Sequence, residues 1–166
     1  VVDKLEEQFT KAEQLHGQFL PSQMPQLTDL TISSYYEPAD KIGGDFYNFI
    51  ELGDQLLFYI SDVSGHDLSG SMLNIFLKET INSYFISHSS PEETVNPAQV
   101  IEFINQRFQQ QDFPEDYFIC LIIGIINLDS NQLKFCNAGI QSSPLLINRQ
   151  AGSTTFDCGG LPISYI

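Results

Sequence analysis

Apolar side chains dominate residues 46–52 and residues 56–60, and a Gly-Asp pair lies between the two segments. Short apolar segments around such a pair are typical of two β-strands joined by a tight turn. In an antiparallel hairpin, the start of the first strand lies beside the end of the second strand. The pattern therefore predicts a β-hairpin that brings Asp45 close to Asp62.

Residues 1–20 are predicted to form a helix, because apolar positions recur in steps of three and four until Pro21 ends the pattern. The heptad-like seam of this helix consists of Val2, Leu5, Phe9, Ala12, His16 and Phe19. Such a seam needs a partner, either a second copy of the chain or the domain's own surface. We expect a parallel homodimer through this helix. No capping residue precedes Val1, so we also expect an upstream domain to enter here.

Two further helices are predicted at residues 68–86 and 97–111, where apolar side chains recur with helical spacing. Ser64 or Asp67 is expected to cap the first of them. The side chains expected to face the core are Met72, Ile75, Phe76 and Ile81 in the first helix and Val100, Ile101, Ile104 and Phe108 in the second.

The remaining apolar segments predict strands. Residues 30–36 alternate between apolar and polar side chains, which is typical of an edge strand. Residues 117–126 are apolar without alternation, as expected for a strand covered on both faces. Three shorter strands are predicted at residues 132–136, 145–148 and 154–157.

Composition limits the function. The 166 residues fit one domain, and 7 basic against 21 acidic side chains give a net charge of −14. So few basic residues argue against binding nucleic acid or an anionic membrane surface. The three cysteines show no metal-binding or redox spacing, and neither a membrane-spanning segment nor a signal peptide is evident. The sequence therefore predicts a cytoplasmic protein.

The predicted hairpin suggests a chemistry for Asp45 and Asp62. Two carboxylates that share a pocket resist ionising unless a cation lies between them. A hard divalent ion such as Mg²⁺ or Mn²⁺ prefers oxygen ligands of this kind. The alternative is that both aspartates serve only turns and helix caps, where aspartate is common.

Four segments resemble a known family. Residues 43–47 (GGDFY) and 61–66 (SDVSGH) are similar to the opening motifs of the PPM, or protein phosphatase 2C-like, enzymes, and more narrowly to the SpoIIE/RsbU branch. Residues 137–139 (NAG) and 159–162 (GGLP) resemble that branch's NAGH-PP loop and GLPLG turn, although Ile140 replaces the usual histidine.

The resemblance implies an α/β (α+β) fold, a PPM-type αββα sandwich of two mainly antiparallel sheets flanked by helices. It further implies an N-terminal linker or signalling helix at residues 1–20 and a phosphatase domain at residues 21–166. Members of the family continue for several tens of residues with further metal-binding aspartates. We therefore expect that the domain lacks its C-terminal part.

The implied activity is that of a metal-dependent protein serine/threonine phosphatase in bacterial signalling. The implied substrate is a phosphoprotein, such as a STAS-type anti-sigma-factor antagonist, and the implied upstream partner is a sensor or receiver domain. Asp62 would bridge two Mn²⁺ or Mg²⁺ ions, the Val63 carbonyl would complete one, and Asp45 would hold the second ion or its waters. Hydrolysis would proceed in line at phosphorus, without a covalent phosphoenzyme.

Several alternatives stay open at this point. Lys41 is a candidate for binding phosphate and His66 for general acid catalysis, but each is more simply a loop residue. Glu51 or Asp67 would complete the site if the chain were active by itself. A pseudophosphatase or signalling adaptor, which binds a phosphoprotein without turnover, is favoured by Ile140 and by the absent aspartates. A plain dimerisation module is the third possibility.

Overall fold

The computed structural model describes residues 2–38, 43–65, 68–88 and 95–165, without the side chains of residues 2–5, 9 and 88. The helices in these ranges are α1 (Val2–Phe19), α2 (Leu68–His88) and α3 (Pro97–Gln109). The strands are β1 (Asp45–Leu52), β2 (Gln55–Val63), β3 (Ile119–Asn127), β4 (Gln132–Ala138), β5 (Leu145–Asn148) and β6 (Gly152–Thr155). The predicted mixed α+β class is confirmed.

The strands form two antiparallel sheets. One sheet has four strands in the order β1-β2-β3-β4, and the other consists of the β5-β6 hairpin. The predicted first hairpin is confirmed: Gly53 adopts a φ of 64° in the turn, and every residue from Asp45 to Leu52 pairs with one from Asp62 to Gln55. Sequential hairpins thus build the larger sheet from neighbours in the chain.

Helices α2 and α3 cover one face of the four-stranded sheet. Directly paired residues of antiparallel strands point to the same face, so the register assigns each side chain to a side. The strand residues buried under the helices include Phe46, Leu57, Tyr59, Leu121, Ile123 and Ile125, and they pack with Leu73, Leu77, Ile81, Val100, Ile104 and Phe108 of the helices. Burying an aliphatic or aromatic side chain of this size contributes about 1.5–3 kcal/mol.

The set of α2 side chains that face the core differs from the prediction at one position. Met72, which was expected to face the core, is 63% exposed, so that prediction is wrong. Leu73 and Leu77 take the buried positions instead and continue the stripe to Ile81 at steps of four residues. Since α2 is apolar on most sides, its sequence does not single out the buried stripe.

Residues 30–36 do not form the predicted edge strand. This segment lies along the opposite face of the sheet and makes no strand pairing within the described part of the chain. Side chains hold it there: the Ser34 hydroxyl donates to the Tyr47 hydroxyl over 2.9 Å, and the Tyr36 hydroxyl donates to the Asp45 carbonyl over 3.3 Å. Residues of the segment and of the sheet line a cavity of about 1170 Å³.

Helix α1 contacts the domain through the end of its seam. His16 is buried and lies edge-on against Phe46, with 6.0 Å between ring centroids, and this burial lowers its pKa. The Lys78 ammonium donates to the Phe19 carbonyl over 2.8 Å. The C-terminal end of the seam, at His16 and Phe19, therefore packs on the domain's own surface. The side chains of Val2, Leu5 and Phe9 lie outside the described residues, and the homodimer stays a prediction.

The loop after β4 is organised by the Asn137 side chain. Its amide nitrogen donates to the carbonyls of Ile140 and Cys158 over 2.8 and 2.6 Å, and its amide oxygen accepts from the Ile140 amide over 2.9 Å. Gly139 adopts a φ of 88° in this loop, where a Cβ would lie 2.9 Å from backbone atoms of Pro162. Ile140, which replaces the histidine of the family pattern, is half-buried.

Two glycine-to-alanine changes should have opposite effects on stability. Gly139→Ala is expected to lower the free energy of unfolding by about 1–3 kcal/mol, because the left-handed backbone and the Pro162 contact both oppose a Cβ. Gly17→Ala is the matched control: Gly17 is helical with no neighbour within 4 Å of its Cβ position. It should raise the free energy of unfolding by about 0.5–1 kcal/mol. Urea denaturation of both variants measures these differences, and destabilisation by Gly17→Ala would contradict the packing described for α1.

Candidate metal centre

Asp45 and Asp62 lie directly opposite each other at the open end of the β1-β2 hairpin. They form the pair that begins the register, and both are solvent-exposed on the sheet face away from α2 and α3. Directly opposed residues in an antiparallel pair have Cβ atoms about 4.5–5.5 Å apart. The structure thus brings the two sequence-predicted carboxylates together, and it does so through local strand pairing.

The loops on either side of this pair are in close contact at Gly44. A Cβ on Gly44 would lie 2.7 Å from the Gly65 carbonyl oxygen and 2.8 Å from the Val63 carbonyl oxygen. The Val63 amide donates to the Gly44 carbonyl over 3.2 Å. A side chain at position 44 would push these loops apart, so glycine is required for the approach. The Val63 carbonyl therefore lies at the same end of the hairpin as the two carboxylates.

The loop that follows Asp62 is anchored to the start of β3. The Ser64 amide donates to the Phe118 carbonyl over 3.0 Å, and the Ser64 hydroxyl accepts from the Phe118 amide over 2.9 Å. This reciprocal pair joins Ser64 to the residue that precedes β3. The prediction that Ser64 or Asp67 caps α2 stays a prediction, because residues 66 and 67 lie outside the described residues.

Asn74 of α2 was missed by the sequence analysis. Its side chain is buried, its amide nitrogen donates to the Gly44 carbonyl over 2.9 Å, and its amide oxygen accepts from the Ser61 hydroxyl over 3.3 Å. The available signal was a lone amide inside the apolar run Leu73–Phe76. A polar side chain at such a position is costly unless it is hydrogen-bonded, which marks it as a residue with a specific partner.

Electrostatics at the hairpin end favour a cation. Partial burial raises the pKa of Asp62, and the charge of Asp45 raises it further. Across the sheet, Cys120 pairs with Asp62; burial and the Asp62 charge raise the pKa of its thiol. In the described part of the chain the ion pair is Lys11 with Glu7, on α1, and none involves the two aspartates. Their negative charge is therefore not offset by a basic side chain in these ranges.

The donors present fit a hard divalent cation in kind. Carboxylate and carbonyl oxygens are the ligands that Mg²⁺ and Mn²⁺ prefer. In number they are few: the described residues contain no group of three or more His, Cys, Asp and Glu side chains that could hold an ion. Glu51 pairs with Leu56 near the β1-β2 turn, about 20 Å along the strand from Asp45. It does not complete the site, whereas Lys41, His66 and Asp67 lie outside the described residues.

An antiparallel sheet covered on one face by two helices fits the fold of a PP2C-type phosphatase domain. The fold comparison agrees. The SiaA-PP2C domain of Pseudomonas aeruginosa superposes with a TM-score of 0.76 at 19% identity, over 97% of this chain and 62% of that chain. The PP2C phosphatase domain of SpoIIE from Bacillus subtilis gives a TM-score of 0.58 at 24% identity, over 75% of this chain and 34% of that chain.

The family model described as stage II sporulation protein E (SpoIIE) matches residues 53–165, and the chain belongs to this family. It is 26% identical to the phosphoserine phosphatase RsbU of Bacillus subtilis, over 83% of this chain and 38% of that protein. It is 27% identical to the protein IcfG of Synechocystis, over 83% of this chain and 25% of that protein. The chain thus spans less than half of either relative.

Proposed function

We propose that the chain is part of a Mn²⁺- or Mg²⁺-dependent protein serine/threonine phosphatase that acts in bacterial signalling. The observation that carries the proposal is the direct pairing of Asp45 with Asp62 on the exposed sheet face of a SpoIIE-family chain. The name of the relative RsbU, a phosphoserine phosphatase, supports a phosphate monoester as the substrate class. Such esters are among the slowest to hydrolyse unaided, so the site needs strong electrostatic assistance.

In this proposal Asp45, Asp62 and the Val63 carbonyl hold two divalent ions. Bound ions of this kind activate water and stabilise charge on the phosphoryl oxygens. Magnesium is present in a solved structure of RsbX, which shares the fold with a TM-score of 0.56 at 17% identity. The chain's own residues orient the ligands: Gly44 permits the close loop contact, and the Ser64–Phe118 pair keeps the Asp62 loop on the sheet.

The charge of the chain bears on the substrate. With a net charge of −14, the surface repels a phosphorylated protein unless cations offset the charge locally. We propose a phosphoserine or phosphothreonine of a STAS-type protein as the substrate, in the cytoplasm, under control of an upstream sensor or receiver domain. Helix α1 would carry that signal, with or without a homodimer. Within the described ranges, no helix has the length and apolar character needed to cross a membrane.

A second function is favoured by two specific observations. Ile140 replaces the histidine of the family loop, and the described residues place only two carboxylates at the hairpin end. A pseudophosphatase or adaptor would keep the fold and bind a phosphoprotein without releasing phosphate.

Metal dependence separates the two functions. The full-length protein that contains this chain is expected to release phosphate from a phosphoserine protein when Mn²⁺ or Mg²⁺ is present. Chelation by EDTA should reduce the rate by about 10³-fold or more, since metal ions supply several kcal/mol of transition-state stabilisation. Added metal should restore it. The control is Glu51→Gln, which removes a carboxylate at the far end of β1 and should leave the rate unchanged. Binding of the phosphoprotein without phosphate release would establish the adaptor instead.

A further inference from the structure

We propose that Asn74 is a positioning residue, which holds Asp45 in the geometry needed to bind metal together with Asp62 and Val63. The proposal rests on the function proposed above and assigns a role in it to helix α2. Asn74 is separated from Asp45 by almost thirty positions in the sequence, and it contacts the residue before Asp45 only because α2 packs on this end of the hairpin.

The Gly44 carbonyl is the point where three elements meet. It accepts one hydrogen bond from the Val63 amide of β2 and a second from the Asn74 side chain of α2. A carbonyl oxygen has two lone pairs, so these donors saturate it. The plane of the Gly44–Asp45 peptide is thereby set, and with it the direction in which the Asp45 side chain leaves the backbone.

The burial of Asn74 argues that these hydrogen bonds are specific. Asn74 is 1% exposed, and both the preceding Leu73 and Leu77, three positions further along α2, belong to the apolar core. An apolar side chain at this position would avoid the desolvation of an amide. A simple packing role therefore does not explain asparagine, whereas anchoring the glycine next to a metal ligand does. Groups that orient ligands in this way typically change metal affinity about 10–100-fold when they are removed.

Ser61 offers a matched control. It is fully buried, and its hydroxyl donates to the Asn74 amide oxygen over 3.3 Å. Ser61→Ala removes a buried hydrogen bond from the same amide but leaves the bond from Asn74 to Gly44 in place. Both Ser61→Ala and Asn74→Ala are expected to lower stability. Only Asn74→Ala removes the hydrogen bond to the Gly44 carbonyl. Asn74→Leu, which keeps the space filled, serves if the alanine variant does not fold.

The experiment compares wild type, Asn74→Ala, Asn74→Leu and Ser61→Ala in the full-length protein. Calorimetric titration with Mn²⁺ should give an apparent Kd about 10–100-fold higher for the Asn74 variants and unchanged for Ser61→Ala. Without metal, amide hydrogen exchange at Val63 should accelerate about tenfold relative to Ile123 in the centre of β3. The Gly44 carbonyl then keeps only its bond from Val63, so this end of the hairpin opens more readily. Ser61→Ala should leave that ratio unchanged.

The exchange ratio and the Mn²⁺ affinity together decide the proposal. An unchanged Val63-to-Ile123 exchange ratio in the Asn74 variants would overturn the proposal. A raised exchange ratio with an unchanged Mn²⁺ affinity would also overturn it, since the hydrogen bond from Asn74 to Gly44 would then not affect metal binding. An equal loss of Mn²⁺ affinity in Ser61→Ala and in the Asn74 variants would show that the Asn74 amide contributes only stability. That result would also overturn the proposal. A wild-type protein that binds no Mn²⁺ would overturn the proposed phosphatase function instead, and the exchange ratio would still decide whether Asn74 holds Gly44.

Discussion

Asp62→Asn is expected to abolish metal-dependent phosphate release while making the metal-free protein more stable. In the proposed site Asp62 would help to hold both ions, so losing its charge should reduce the rate about 10³-fold or more, which corresponds to about 4 kcal/mol of transition-state stabilisation. The reacting phosphoryl group would then lack the charge stabilisation that two ions provide. The measurement is phosphate release by the full-length protein over a range of Mn²⁺ concentrations.

The stability change follows from the pKa of Asp62, which burial and the charge of Asp45 raise above the usual value of a carboxyl group. A raised carboxyl pKa contributes stability that is fully present below the unfolded pKa of about 3.9 and is lost as the pH rises through the folded pKa. At neutral pH the ionised side chain therefore costs free energy, which asparagine removes. The melting temperature of metal-free Asp62→Asn should exceed that of wild type at pH 7, and the difference should shrink toward acid pH.

The control for this prediction is Asp129→Asn, which removes the same charge from the exposed turn between β3 and β4. It should leave the rate unchanged and should not reproduce the pH-dependent gain in melting temperature. Activity of Asp62→Asn close to that of wild type would show that Asp62 is not a metal ligand.

Residues 1–166 expressed alone are expected to bind Mn²⁺ weakly, if at all, and to release no phosphate from p-nitrophenyl phosphate or a phosphoserine protein. Asp45, Asp62 and the Val63 carbonyl are few ligands for two ions. Sites with one or two carboxylates leave Mg²⁺ or Mn²⁺ with most of its waters. A longer chain that adds the C-terminal aspartates of the family should gain both binding and turnover.

Calorimetric Mn²⁺ titration of the short and the longer chain, alongside phosphate release, measures this difference. Asp62→Asn in the longer chain provides the control, because it should return binding to the level of the short one. Robust turnover by residues 1–166 would contradict the prediction. It would also indicate that Asp67 completes the site, since Glu51 lies at the far end of β1.

The sequence by itself was sufficient for the hairpin and for the approach of its two aspartates. A two-residue turn sets the register of the strands that it joins, so the pairing of Asp45 with Asp62 depends on a local feature. The class of fold was likewise predictable, because helical and strand periodicities are properties of short segments. The helix predicted at residues 97–111 from its apolar spacing is α3 in the structure, and Val100, Ile104 and Phe108 are buried as expected.

Only the tertiary structure decided how distant segments meet. The alternation at residues 30–36 says which side chains share a face but not whether a partner strand exists, and the segment is held by side-chain contacts instead. Met72 and Leu73 are both apolar, and packing against the sheet chose Leu73. Asn74 reaches the Gly44 carbonyl because α2 folds back over the hairpin. Contacts of this kind depend on packing between segments that are far apart in the chain. The periodicity of a single segment therefore does not predict them.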